Sequence, residues 1–195
     1  VARGRPSKKG EIVSAATELF TQKGYQGTSV DQVVVTAAVS KPTVYSNFPT
    51  KLVLWESVLE AIIEQANTEM SQALVAQQNH VSSSSELNSV ISGWISLWKV
   101  WSSRSERLAV YRILLGEQHK MAATTVSLFA QFEAVLEKVL LAWLEAHQMP
   151  VTHFFALKAI SKEALLTPTL LHQDALSDDD LVSQLSVFIN AKAES

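Results

Sequence analysis

The sequence predicts an all-α protein: an N-terminal three-helix head carrying a helix-turn-helix, then a C-terminal helical bundle. Three observations carry this prediction. Apolar residues recur at i, i+3, i+4 and i+7 along most of the 195 residues, and no run shows the strict alternation of a half-buried strand. Ser or Thr stands before the periodic segments, and Gly or Pro often follows them, as helix starts and stops require. The composition, 47% hydrophobic and 18% charged, suits a chain with a packed core rather than a disordered one.

The first helix is expected over about residues 7–23. Ile12, Ala15, Ala16, Leu19 and Phe20 form its apolar stripe, and Gly24 is its natural stop. Residues 28–51 read TSVDQVVVTAAVSKPTVYSNFPTK. Ser29 and Gln32 have capping-box spacing, and Val30, Val33, Val34 and Ala37 share a face, so a short helix follows Ser29. The Val-rich run has strand propensity, but the caps favour helix. Ala38-Val39 breaks the chain. Ser40 then caps a helix over 41–47 with Pro42 in its first turn, where a missing N–H costs nothing. Val44 and Phe48 point inward, leaving Lys41, Thr43, Tyr45, Ser46 and Asn47 outward.

Thr50 caps a long helix over 51–78, whose inward positions run from Leu52 and Trp55 to Met70 and Leu74. At 1.5 Å per residue it spans about 40 Å, long enough to link a head to the depth of a body. Residues 77–85, QQNHVSSSS, have linker composition. Helices over 86–103, 106–119 and 122–147 come next. Trp94, Trp98 and Trp101 form one aromatic stripe, and Leu108, Tyr111, Leu114 and Leu115 are expected inward in the second of the three. Met149-Pro150 stops the third. A helix over 153–166 is expected to close at Pro168. The last, over 178–192, has Ser177 as cap, three aspartates complementing its dipole, and Leu181, Leu185, Phe188 and Ile189 as its stripe.

The net charge of −3 is unevenly placed. Residues 1–51 hold seven basic and three acidic side chains, a balance of +4; the remainder holds nine and sixteen, a balance of −7. A basic head on an acidic body is the asymmetry of a nucleic-acid reader. The absence of cysteine excludes disulfides and thiolate metal sites and suits a reducing cytoplasm. No apolar run is long enough to span a membrane, and no secretory h-region is present. Enzyme signatures are missing: no phosphate loop, no His-Glu-x-x-His, no nucleophile elbow. The five histidines, at 80, 119, 147, 153 and 172, lack ligand spacing, so no metal and no cofactor is expected.

Two short helices joined by a tight turn, the second bearing Lys, Thr, Tyr, Ser and Asn, suit a DNA major groove. Ser40, Lys41 and Pro42 begin the second helix, whose positive end can face phosphate. Thr43, Ser46 and Asn47 offer short hydrogen-bonding arms to bases or backbone, and Tyr45 a hydroxyl to phosphate. Thr28, at the entry to the pair, and Lys51, at the start of the long helix, are further candidate contacts. Arg3 and Arg5, in the arm VARGRPS, suit a narrow minor groove or simple phosphate attraction.

This stretch resembles the DNA-binding domain of the tetracycline-repressor (TetR) family. The resemblance extends back through AATELFTQKGYQGTS and forward into LWESVLEAI, about the first 65 residues. It departs at Ala38, where the family usually has Gly; a left-handed Ala costs about 1 kcal/mol. The resemblance implies domains at 1–50, which reads DNA, and 51–195, which binds ligand and dimerises. It implies a transcriptional regulator, most often a repressor, acting as a homodimer on a palindromic double-stranded operator. The family's dimer uses the last two long helices, which maps here onto Phe154, Leu157, Ile160, Leu165, Leu181, Leu185, Phe188 and Ile189. A small apolar effector among the middle helices would meet Trp94, Trp98, Trp101, Tyr111, Phe129 and Phe132, with Arg112 and His119 as polar anchors. Its binding is expected to lever the long helix and weaken operator binding. The competing reading is a helical ligand-binding or scaffolding protein with a vestigial DNA module. It requires a recognition helix stripped of polar arms, and those arms are present.

Overall fold

The computed structural model describes residues 8–81, 87–117, 119 and 121–190, and among these no strand occurs. The helices are α1 Lys8–Gly27, α2 Val30–Thr36, α3 Lys41–Asn47, α4 Lys51–Val81, α5 Leu87–Ser102, α6 Ser105–Glu117, α7 Ala123–Ala146, α8 Phe154–Ser161, α9 Thr167–Leu170 and α10 Asp178–Asn190. A π-helical turn, Lys162–Leu166, joins α8 to α9. The chain divides into two compact units: Val1–Gln65 with Ser105–Phe132, and Ala66–Arg104 with Glu133–Ser195.

In the first unit, α1 packs against α2, α3 and α6. Its predicted stripe, Ile12, Ala15, Ala16, Leu19 and Phe20, is buried. These residues meet the core that also holds Val33, Val44, Phe48, Leu54, Trp55 and Val58. Gly24 interrupts the helix as expected, at φ 71°, and a further turn follows before Thr28. The capping box of α2 is complete: Gln32 N–H donates to Ser29 Oγ at 3.2 Å, and Ser29 N–H to Gln32 Oε1 at 2.9 Å.

In the second unit, α5 and α8 pack against α10. Trp94, Trp98 and Trp101 are buried, as are Trp143, Leu144, Leu157, Leu165, Leu181 and Leu185. Two indoles are pinned by hydrogen bonds. Trp94 Nε1 donates to Ser161 Oγ at 2.8 Å, and Trp143 Nε1 to the Val90 carbonyl at 3.1 Å. Gly93 lies against the Trp143 ring, leaving no room for a methyl group.

Three expectations need correction. The linker expected at 77–85 does not begin at Gln77: α4 continues through it to Val81, and residues 82–86 lie outside the described residues. Leu115 is 74% exposed, because burial on α6 follows Leu108, Tyr111 and Leu114 and includes Arg107 at 2% exposure instead. Pro168 does not close the helix before it. Its missing N–H leaves the Ala164 carbonyl without its i+4 donor, and Leu176 N–H bonds that carbonyl at 3.1 Å. The π-helical turn just upstream widens the ladder where the ring must fit, so the helical run continues to Leu170.

Among the described residues, three other than glycine have positive φ: Ala38 (51°), Gln148 (53°) and His172 (56°). Each follows a helix end, and the next residue's N–H reaches back five places. Val39 bonds Val34 at 3.2 Å, Met149 bonds Leu144 at 2.9 Å and Gln173 bonds Pro168 at 2.9 Å. This is the Schellman arrangement, made here without glycine.

Candidate nucleic-acid interface

The interface begins at the turn. Ala38 is left-handed, so the chain reverses within four residues and α3 starts at Lys41. Ser40 is its N-cap: Thr43 N–H donates to Ser40 Oγ at 3.2 Å, and the two hydroxyls lie 2.7 Å apart. Val44 and Phe48 anchor the helix at 1% exposure each. Their burial fixes which face remains outside. Lys41, Pro42, Tyr45 and Ser46 are exposed, and Thr43 and Asn47 half-buried.

The polar arms of α3 bond their own helix. Ser46 Oγ and Asn47 Nδ2 both donate to the Thr43 carbonyl, at 2.9 and 2.8 Å. Both bonds are local and exchangeable for a nucleic-acid acceptor at little cost. Lys41 Nζ pairs with Asp31 of α2 at 2.7 Å, an exposed bridge that raises the lysine's pKa through hydrogen bond and charge. Tyr45 is 43% exposed, which leaves its ring and hydroxyl open to a partner.

At the start of α4, Thr50 Oγ1 caps the helix by accepting from Val53 N–H at 3.1 Å. Lys51 Nζ lies 4.3 Å from the centre of the Tyr25 ring, within cation–π range. Burial lowers its pKa, and the negative charge of Glu117 partly opposes that. Lys9 Nζ stands 5.9 Å from the Phe48 ring.

Thr28 has a different place from the one expected. It is 2% exposed, and its hydroxyl donates to the Gly24 carbonyl at 2.9 Å. The side chain therefore stitches the end of α1 to the entry of α2 and is closed to DNA. Arg3 and Arg5 lie outside the described residues.

The aromatic candidates are found in both units. In the first, Tyr111, Phe129 and Phe132 form one cluster with ring centres 5.4 to 6.2 Å apart. In the second, Trp94 meets Phe154 edge-on at 6.4 Å, and the buried Trp98 Nε1 has no hydrogen-bond partner. Arg112 and His119 do not serve as interior anchors, since both are exposed. Among the described residues, the buried charged side chain that periodicity did not single out is Arg107, which shares a helix face with Tyr111 and Leu114. The signal was available: a charged residue in phase with an apolar stripe.

Of the eight residues expected at a dimer face, four are buried in their own unit. Leu157, Leu165, Leu181 and Leu185 are at most 2% exposed within a single chain, so α10 uses its stripe to pack on its own unit. Phe154, Ile160 and Ile189 are half-buried, and the Phe188 side chain lies outside what is described. On α8 and α10 the exposed large apolar residues are Phe155 at 82% and Val187 at 67%.

The arrangement is a three-helix head with a helix-turn-helix whose second helix presents a polar face. Residues 12–58 match the family model described as bacterial regulatory proteins, tetR family. The match covers the head, and over those residues the chain is similar to that family. Its head is similar to that of the transcriptional activator FasR of Mycolicibacterium smegmatis, at 34% identity over 70 residues, 36% of this chain and 32% of that one. The regulator RutR of Escherichia coli is 38% identical over 63 residues, 32% of this chain and 30% of RutR. The chain thus spans about a third of the length of these curated relatives. Over the whole fold, a TetR-family member from Streptomyces coelicolor A3 superposes with TM-score 0.64 at 22% identity, covering 94% of this chain and 99% of that one. The multidrug binding protein EbrR, complexed with ethidium, gives 0.66 at 21%, covering 94% and 99%. At these identities the structural likeness speaks for the fold.

Proposed function

We propose that the protein is a sequence-specific DNA-binding transcriptional regulator, a repressor released from a palindromic operator by a small apolar effector. The observation that carries the DNA reading is α3: anchored by Val44 and Phe48, it turns Lys41, Tyr45 and Ser46 to solvent beside a basic head. Lys41, Tyr45 and Lys51 meet phosphates; Thr43, Ser46 and Asn47 reach base edges or backbone. Residues 1–50 form the reading domain and residues 51–195 the effector-binding and dimerising one. The alternative, a helical ligand-binding or scaffolding protein with a vestigial head, is disfavoured by the polar arms on α3.

Two copies meet through the outer faces of α8 and α10. Phe155 and Val187 supply the exposed apolar surface, and a groove of about 430 Å³ lined by Ile160, Glu163, Ala164, Pro168, Leu176 and Gln184 lies on the same unit. The effector reading is supported by the aromatic content around Trp94, Trp98 and Trp101, and by the whole-fold likeness to a protein that binds ethidium. Effector occupancy displaces α4, whose first residue is Lys51, and lowers operator affinity by its differential affinity for the two states.

The test is fluorescence anisotropy against duplexes tiled across the intergenic DNA beside the gene. One duplex should bind well above the rest, and Lys51→Ala should weaken every duplex and flatten the salt slope by about one unit. Equal, weak binding to all duplexes at low salt would refute a sequence-specific regulator. An effector found by thermal shift that leaves operator affinity unchanged would refute the coupling.

A further inference from the structure

The last residue of α6 reaches into the head. Glu117 Oε1 accepts a hydrogen bond from Gln26 N–H at 3.3 Å, joining positions 91 apart in sequence. Gln26 belongs to the single turn that follows the break at Gly24. Its neighbour Tyr25 is the platform on which Lys51 rests, with Nζ 4.3 Å from the ring centre. Tyr25 is itself held by Phe20 at 5.9 Å and Trp55 at 6.3 Å. The second carboxylate oxygen, Oε2, is buried and accepts no hydrogen bond, so this charge acts chiefly through its field.

That field is felt by both neighbours. The Tyr25 phenol is pushed up by burial first, then by the charges of Glu117 and Glu56. Glu117 also favours the charged form of Lys51, against the burial that lowers it. Lys51 sits in the first turn of α4, where the helix dipole is unfavourable to a cation. Tyr25 and Glu117 are what compensate it in the free chain. A phosphate that takes Lys51 has to draw it from both.

We propose that Glu117 is a positioning residue for DNA binding: by anchoring the Tyr25–Gln26 turn and attracting Lys51, the end of α6 sets how readily that lysine reaches a phosphate. This rests on the DNA-binding reading above and adds the residue that regulates it. Displacement of the α6 terminus then alters the head through one carboxylate, with no rearrangement of α2 or α3 required.

Glu117→Gln tests it in the full-length chain, because the amide oxygen can still accept from Gln26 N–H while the charge is lost. The probe is a mixed-sequence duplex of about 40 base pairs near 50 mM salt, where phosphate contacts dominate. The variant should bind about two- to five-fold more tightly, the range of one exposed ion pair. The gain should vanish when Lys51→Ala is added. No gain, or a gain undiminished without Lys51, overturns the proposal. A second readout needs no DNA: ultraviolet titration, with Tyr25→Phe to assign the phenol, should show Tyr25 ionising at lower pH once Glu117→Gln is introduced. An unchanged Tyr25 titration also overturns the proposal. Failure of the unsubstituted protein to bind any duplex would remove the DNA reading instead, with the Tyr25 titration still reporting the contact.

Discussion

Gly93→Ala offers a test in which the local rule and the tertiary structure predict opposite signs. Gly93 lies inside α5, and in a helix interior glycine is about 1 kcal/mol less favourable than alanine. Propensity alone therefore predicts a stabilised protein. The added Cβ would fall 2.2 Å from Trp143 Cζ2, 2.5 Å from Cη2 and 3.2 Å from Cε2. Trp143 has little freedom to retreat, since it is fully buried and its indole N–H is committed to the Val90 carbonyl. Overpacking at such a contact costs about 1–3 kcal/mol, and one this short belongs at the upper end. The net expectation is a loss of about 2 kcal/mol. In a chain of this size that lowers Tm by about 4–8 °C. Far-UV circular dichroism melts at one fixed protein concentration, which holds any association term constant, measure it. Adding Trp143→Phe should recover part of the loss by removing the outer ring. A Gly93→Ala variant as stable as the parent, or more so, would refute the placement of Trp143 on α5.

Ala38→Gly relieves a left-handed alanine at the helix-turn-helix corner, offset by the greater freedom of glycine in the unfolded chain; denaturant unfolding should show a gain of up to about 1 kcal/mol. A clear loss there would mean that the turn is not left-handed in solution. Burial lowers the pKa of His147, whose ring lies 4.2 Å from that of Trp143, so the unfolded chain takes up a proton more readily than the folded one. The stability due to the neutral ring is thus present above the ordinary histidine pKa and lost as pH falls below it towards the lowered value. Melts between about pH 7.5 and 5.5, a window set around the histidine range, should show a steeper decline for the parent than for His147→Gln. Equal slopes would contradict the assignment. Phe155→Glu should yield a helical monomer by light scattering at concentrations where the parent is a dimer; an unchanged mass would move the interface elsewhere.

The head was the most legible part of the molecule because its instructions are local. Ser29 with Gln32, Ser40 before Lys41-Pro42, and Gly24 each act on backbone groups within a few residues. Capping chemistry of that kind can be read directly along the chain. The recognition helix was legible for the same reason: Val44 and Phe48, four apart, dictate which side chains remain outside. Thr28 was not, because its hydroxyl is consumed by a carbonyl across a turn whose shape depends on Gly24.

In the body, periodicity identified what was apolar but could not say against what it would pack. Leu157, Leu165, Leu181 and Leu185 form stripes equally suited to a second copy or to the chain's own core, and only the folded unit assigns them inward. Pro168 marks a helix stop unless a remote donor reaches the carbonyl it leaves bare, and Leu176 supplies that donor. Glu117 carries no motif at all, since its partner Gln26 lies 91 residues away. What the sequence by itself determined is the set of helices, their caps and the polar face of α3, all products of interactions within a turn or two. The burial of the leucine stripes, the passage of a helix through Pro168 and the carboxylate at the edge of the head were decided by tertiary structure. They depend on which distant groups compete for the same surface or the same hydrogen bond.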